Sequence, residues 1–203
     1  MNTLSLRLKE SSMESHQNAE NSSFIKDLFQ GSCSENSYAQ YVWALKEIYQ
    51  ALEEALDQHQ NHEQVKLVYF PELFRTEPLQ KDAQTWAPAE VPETLKAAVA
   101  QYVSHIKNLK VKQPHLLVSH AYVRYLGDLS GGQILGRILN SRWSNNPGLN
   151  FYKYSFNDFT DRKNQYRAKL DEIGQQLPAH VDEMCDEAVT AFKLNENVFA
   201  ALH

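Results

Sequence analysis

The chain has 203 residues, 42% of them hydrophobic and 11% aromatic, enough for one core and a single domain over residues 1–203. Its formal net charge is −5 with a pI near 5.9, and its basic residues stand in scattered pairs, which excludes the electropositive footprint of a nucleic-acid binder. Cys33 and Cys185 lie far apart in sequence, no run approaches the roughly 20 apolar residues of a membrane span, and the N-terminus lacks the apolar core of a signal peptide, so a reduced, cytoplasmic, monomeric protein is expected.

Apolar residues recur every three or four positions, and only 7 glycines and 7 prolines interrupt them, a pattern that predicts an all-α, single-domain helical bundle. A first helix is predicted over Ser5–Glu20. A second opens at a capping box, Ser32 to Glu35, and turns Tyr38, Val42, Leu45, Tyr49, Leu52 and Leu56 inward. Short, proline-punctuated helical pieces fill Glu63–Trp86. Pro92 then starts a helix with Leu95, Val99, Tyr102, Val103 and Ile106 on its inner face.

Pro114 starts the next helix, which runs to Arg142 and carries Gly127, Gly131, Gly132 and Gly136. Each glycine inside a helix costs about 0.5–1 kcal/mol relative to alanine, so something requires a bare backbone there. A loop follows at Ser144–Gly148. A helix from Asp158 to about Ile173 shows Phe159, Tyr166, Leu170 and Ile173, with Gly174 as its expected stop. A last helix after Pro178 shows Val181, Cys185, Ala188, Phe192 and Phe199.

Familiar chemistry for such a bundle falls away on inspection. None of the eight histidines has a glutamate three residues before it, as a carboxylate-bridged di-iron site needs. His59 and His62 end a polar helix and read as surface groups, and Ser130 sits in no nucleophile elbow.

Three features remain. Lys9, His16 and Glu20 fall within roughly 40° of one another on an ideal helix, so Glu20 is placed to hold one imidazole nitrogen and leave the other for a metal. Spacing alone equally describes a packing histidine. The paired glycines make two bare ridges, suited either to close helix packing or to a flat ligand lying on the backbone, and Asp128 and Ser130 stand among them. Arg162, Lys163, Tyr166 and Arg167 follow, with Lys163, Tyr166 and Arg167 sharing a face that suits an anion clamp or plain solvation.

HAYVRYLGDLSGGQILGR, from His120 to Arg137, closely resembles the distal-helix signature of the haem oxygenases. SHQNAENSSF, from Ser15 to Phe24, resembles that family's proximal-histidine segment, and YFPEL at Tyr69–Leu73 and EAVTAFKLNENVF at Glu187–Phe199 extend the likeness over nearly the whole chain, nearest to the short bacterial members.

The resemblance implies haem as both substrate and prosthetic group, with His16 as the axial iron ligand and Glu20 on its other nitrogen. It places Gly127 and Gly131 against the distal face, and Asp128, with Arg124 and Tyr49, in the proton supply to bound O2. Lys9, Tyr122, Lys163 and Arg167 match positions at the haem edge or its propionates, and Phe192 and Asn195 match positions near the pocket. Some members carry a further basic residue one turn before the histidine, where this chain has Met13. The implied reaction yields biliverdin, carbon monoxide and ferrous iron with electrons from a ferredoxin or flavoprotein reductase, since no flavin or iron–sulfur motif is present. A non-catalytic haem carrier or sensor is the alternative on the same features, and a helix-packing module the third.

Overall fold

The structure, a computed structural model, describes residues 3–144 and 148–202 and contains eleven α-helices and no strand among them. The predicted first helix is two: α1 (Leu4–Ser11) and α2 (Met13–Glu20). At Ser12 the backbone leaves helical values, with ψ at 3°, and the hydroxyl donates back to the Leu8 carbonyl at 2.6 Å, the side-chain competition that makes serine a poor interior helix residue. Periodicity did not single out α3 (Ser23–Gln30), which is capped by the Ser22 hydroxyl and closed by Gly31 at φ 71°.

α4 (Glu35–Gln58) starts later than the Ser32–Glu35 box predicts, because Ser34 is the cap and accepts from the Ser37 N–H at 3.0 Å. Its predicted stripe from Tyr38 to Leu56 is buried throughout. α5 (Val65–Val68), a 3₁₀ turn at Pro71–Leu73 and α6 (Thr76–Thr85) are the expected short pieces. α7 (Glu93–Lys112) follows Pro92 and buries Leu95, Val99, Tyr102 and Ile106, with Val103 only partly covered.

The glycine-bearing helix has three parts. A 3₁₀ turn at Pro114–Leu116 leads into α8 (Leu117–Gly127), a π-helical turn at Asp128–Gly132, and α9 (Gln133–Arg142). A π turn inside a longer helix is a recurrent mark of a functional site. Of the predicted loop, Asn145, Asn146 and Pro147 lie outside the described residues.

α10 (Phe159–Gln176) is capped by Asp158, whose carboxylate accepts from the Asp161 N–H at 2.8 Å. It runs past Gly174, which is not a stop. A Cβ there would stand 2.7 Å from the Leu4 Cβ, so this glycine lets α1 dock. α11 (Val181–Ala200) buries Val181, Cys185, Ala188 and Phe199 and packs against α1, α2, α7 and α8, while α4 packs against α6 and α7.

Gly136 is a packing glycine of the same kind, since a Cβ on it would lie 2.7 Å from the Tyr152 Cβ. Gly136→Ala is expected to lower stability by about 1–3 kcal/mol, the usual overpacking cost, read as a fall in the urea midpoint at unchanged slope; an unchanged midpoint contradicts the close approach.

Both cysteines are unpaired and buried. Burial pushes the Cys33 thiol up to about 11 and raises Cys185 as well, so neither is a ready nucleophile. No helix among the described residues is long and apolar enough to cross a membrane.

Candidate active site

A cleft of about 750 Å³, counted with its open mouth, lies between α2, the α8–α9 region and the C-terminal half of α11. His16 and Glu20 line one side; Arg124, Gly127, Asp128, Gly131 and Gly132 line another; Phe192, Asn195 and Phe199 complete it.

α2 places His16 one turn past the Ser12 break, with its backbone N–H on the Ser12 carbonyl at 2.8 Å. The ring stands edge-on to Phe192 at 5.4 Å, and Nδ1 is 3.6 Å from the Glu20 carboxylate. Glu20 therefore faces Nδ1, and Nε2 is the nitrogen left for a ligand. Among the described residues, no other histidine lines the cleft.

Across the cleft, a Cβ on Gly127 or Gly131 would meet nothing within 4 Å. These two glycines face open space, which disposes of close helix packing as their purpose and leaves a bare backbone surface for a ligand. Gly132 would make only ordinary contact with the Asp128 Cβ at 3.7 Å, so within the run only Gly136 is packed tightly.

The π turn directs Asp128 inward, where it is 8% exposed. Its carboxylate accepts a short hydrogen bond from the Tyr49 hydroxyl. The Tyr49 oxygen also accepts from Arg124 Nε at 3.1 Å, and Arg124 Nη1 donates to Asn195 Oδ1 at 2.5 Å. The Arg124 guanidinium also lies 4.8 Å from the Tyr49 ring.

Burial pushes the Asp128 carboxyl up to about 6, against the opposing pull of Arg124 and the Tyr49 bond. Burial likewise raises Tyr49 well above the ordinary phenol range, so Tyr49 is the donor of the pair. A carboxyl poised near 6 can both hold and return a proton close to neutral pH.

The network continues behind the cleft through residues that sequence reading did not select. Tyr102 hydrogen-bonds Asn195, and its hydroxyl is 3.4 Å from His120 Nδ1. His120 Nε2 and the partly exposed His105 Nε2 meet the same Glu187 oxygen at 2.7 and 2.6 Å. Burial opposes the Glu187 charge, but the two histidines outweigh it and hold the carboxyl below its usual range. Burial lowers His120. Glu187 at a core position beside Met184 and Ala188 was the available signal, since a carboxylate there needs partners.

The proposed anion clamp is only partly assembled. Tyr122 is half-buried, hydrogen-bonds Ser12 and lies within the field of Arg167, so α8 and α10 meet the α1–α2 junction there. Lys9 and Arg167 are exposed and Lys163 is half-buried, and none of them lines the cleft. Tyr166 does not join them. It is fully buried against Phe70 and Tyr125, because it belongs to the apolar stripe with Leu170 and Ile173. Lys9 sits on α1, ahead of the Ser12 break, so the single continuous face expected for Lys9, His16 and Glu20 is divided between two helices.

An accessible imidazole opposite a backbone surface without side chains fits a flat, iron-centred ring. The sequence matches the family model described as Heme oxygenase over residues 2–201. A heme oxygenase of Pyropia yezoensis is 38% identical, covering 100% of this chain and 87% of that one. Heme oxygenase 1 of Synechocystis is 35% identical over 98% of this chain and 84% of its own.

The crystal structure of heme oxygenase-1 from the cyanobacterium Synechocystis in complex with heme aligns with a TM-score of 0.89 at 34% identity, covering 100% of this chain and 93% of that one. Heme oxygenase from Leptospira interrogans gives 0.87 at 35% identity, covering 98% and 99%. With one fold, a match along nearly the full chain and a cleft suited to a planar iron ligand, the chain belongs to the haem oxygenase family.

Proposed function

We propose that the chain binds haem in this cleft and, with O2 and electrons from an external ferredoxin or flavoprotein reductase, opens the macrocycle at a meso carbon to give biliverdin, carbon monoxide and ferrous iron. The observation that carries this reading is the buried Asp128–Tyr49–Arg124 group facing the same cleft as His16. A carrier needs the histidine and the slot; it has no use for a carboxyl desolvated to near neutrality.

Bound haem supplies the oxygen-activating iron and the carbon skeleton that is consumed. The chain's residues orient and protonate. His16 would hold the iron through Nε2, with Glu20 setting the imidazole from Nδ1. Gly127 and Gly131 present backbone alone, which would let a flat ring approach that wall closely. Asp128 takes up and returns a proton at its carboxyl oxygen, Tyr49 orients that carboxyl, and Arg124, tethered by Asn195, holds Tyr49 in place. Phe192 braces the His16 ring. Arg167, Lys163 and Lys9, outside the cleft lining, would meet the acidic edge of the ring by charge, with the Tyr122 hydroxyl beside Arg167. The two unpaired, buried thiols support a reduced cytoplasmic setting, and a monomer suffices because the cleft is built within one chain.

The test is to add haem to the full chain, then an electron source under air, and follow absorption. Loss of the haem band with growth of a bilin band and release of carbon monoxide is expected. Persistent haem would favour the carrier, and no haem spectrum at all would overturn haem binding in this cleft.

A further inference from the structure

At the end of α11 remote from Asn195 stands a second group of metal-type ligands, unrelated to the cleft. His180 closes the Pro178–His180 turn that precedes α11, Glu183 follows in the helix's first turn, and His115 lies in the Pro114–Leu116 turn that leads into α8. His180 Nδ1 is 2.9 Å and His115 Nε2 is 3.3 Å from the same Glu183 oxygen, Oε2. The two imidazole rings meet edge to face at 5.0 Å. The other carboxylate oxygen, Oε1, accepts from the Gln113 side-chain amide. One ligand atom from each of the three residues lies within 4.8 Å of the other two, and all three side chains are half-buried and open to solvent.

A surface ion pair needs one imidazole on a carboxylate. Here two converge on one oxygen while a third side chain holds the other oxygen aside. For metal–ligand distances of about 2.0–2.2 Å, tetrahedral ligand atoms stand roughly 3.4 Å apart, and the two nitrogen–oxygen separations of 2.9 and 3.3 Å are already near that spacing. Two imidazoles and a carboxylate suit a borderline divalent ion of the first transition row, and Gln113 orients Glu183 as an outer-shell partner does.

The other histidine pair with a glutamate, His105, His120 and Glu187, differs in access. His120 and Glu187 are buried and already committed to Tyr102 and to each other.

We propose that His115, His180 and Glu183 form a binding site for a divalent first-row transition ion such as Zn²⁺, which clips the start of α8 to the start of α11. Those are the helices that carry Arg124 and Asn195 further along, so the clip ties together the frame of the distal network.

The full chain titrated with Co²⁺ should show the visible band of a low-coordinate nitrogen–oxygen site, and calorimetry with Zn²⁺ should find one more bound ion per chain than in a His115→Ala/His180→Ala double variant. Any ion held at His16 is common to both proteins and cancels. Glu183→Gln, which keeps the side-chain shape, should weaken Zn²⁺ binding at least tenfold, and Gln113→Leu by about 10–100-fold. Zn²⁺ should raise the thermal midpoint of the parent chain more than that of either ligand variant, and millimolar Mg²⁺ should not displace it. Equal stoichiometry and affinity in parent and double variant, or no micromolar uptake by the parent, overturns the proposal; should the double variant not fold, equal affinity in Glu183→Gln does the same.

Discussion

Asp128→Asn is expected to leave haem bound within about threefold of the parent affinity while bilin formation falls about a hundredfold or more, the usual cost of removing a positioned acid–base group. Oxygen and electrons should then be lost to peroxide release or peroxidase-type oxidation. The reason is geometric: Asp128 borders the cleft, but its polar bonds run to Tyr49 and the Arg124 layer, so its loss alters proton handling without unmaking the slot. The parent rate should show a limb near pH 6, where the carboxyl titrates, and the variant should lack it. Normal bilin yield from the variant would remove Asp128 from the mechanism.

The same substitution carries a stability consequence of opposite sign. Burial raises the Asp128 pKa from 3.8 to about 6, so the folded chain keeps a proton that the unfolded chain has released. The stabilisation is whole below the unfolded value and is lost as pH rises through the folded one. Asparagine cannot ionise and avoids that loss. The variant should therefore be more stable than the parent at pH 8, by up to about 3 kcal/mol, with the advantage disappearing below about pH 4. Parallel thermal midpoints across that range would contradict a desolvated carboxylate.

His16→Ala should abolish bilin formation and remove the histidine-ligand signature from the ferric haem spectrum. The haem dissociation constant should rise about tenfold or more, equivalent to at least about 1.4 kcal/mol, because His16 is the one imidazole lining the cleft among the described residues. Free imidazole should restore part of the spectrum by occupying the vacated space. Folding should change little, since the side chain is half exposed and its named partners are Phe192 and Glu20. An unchanged ligand-field spectrum would place the iron elsewhere.

The fold's readable parts were those governed by local repetition. The Tyr38–Leu56 stripe, and the Leu95–Ile106 stripe apart from the partly covered Val103, are buried as their spacing predicts, because a helix face is set by neighbours three and four residues away. Where a residue's role depends on a distant partner, reading along the chain failed. Gly174 resembles a helix stop until Leu4 is seen against it. Tyr166 suits both an apolar stripe and a polar face with Lys163 and Arg167, and burial against Phe70 and Tyr125 chose the first. His105, His120 and Glu187 are single polar residues on three separate stretches, and no spacing rule joins residues 82 and 67 positions apart.

By itself the sequence determined the helical class, the inward stripes and, through the signature from His120 to Arg137, the family and its candidate residues His16, Asp128, Arg124 and Tyr49. Those follow from short-range periodicity and from residue order, both present in the linear chain. Only the tertiary structure decided which glycines are open and which are packed, that Asp128 is desolvated to near-neutral titration, and that Arg124 is tied through Asn195 and Tyr102 to His120. Desolvation and hydrogen-bond partnership are properties of the space around a group, and that space exists only once α4, α7, α8 and α11 have come together.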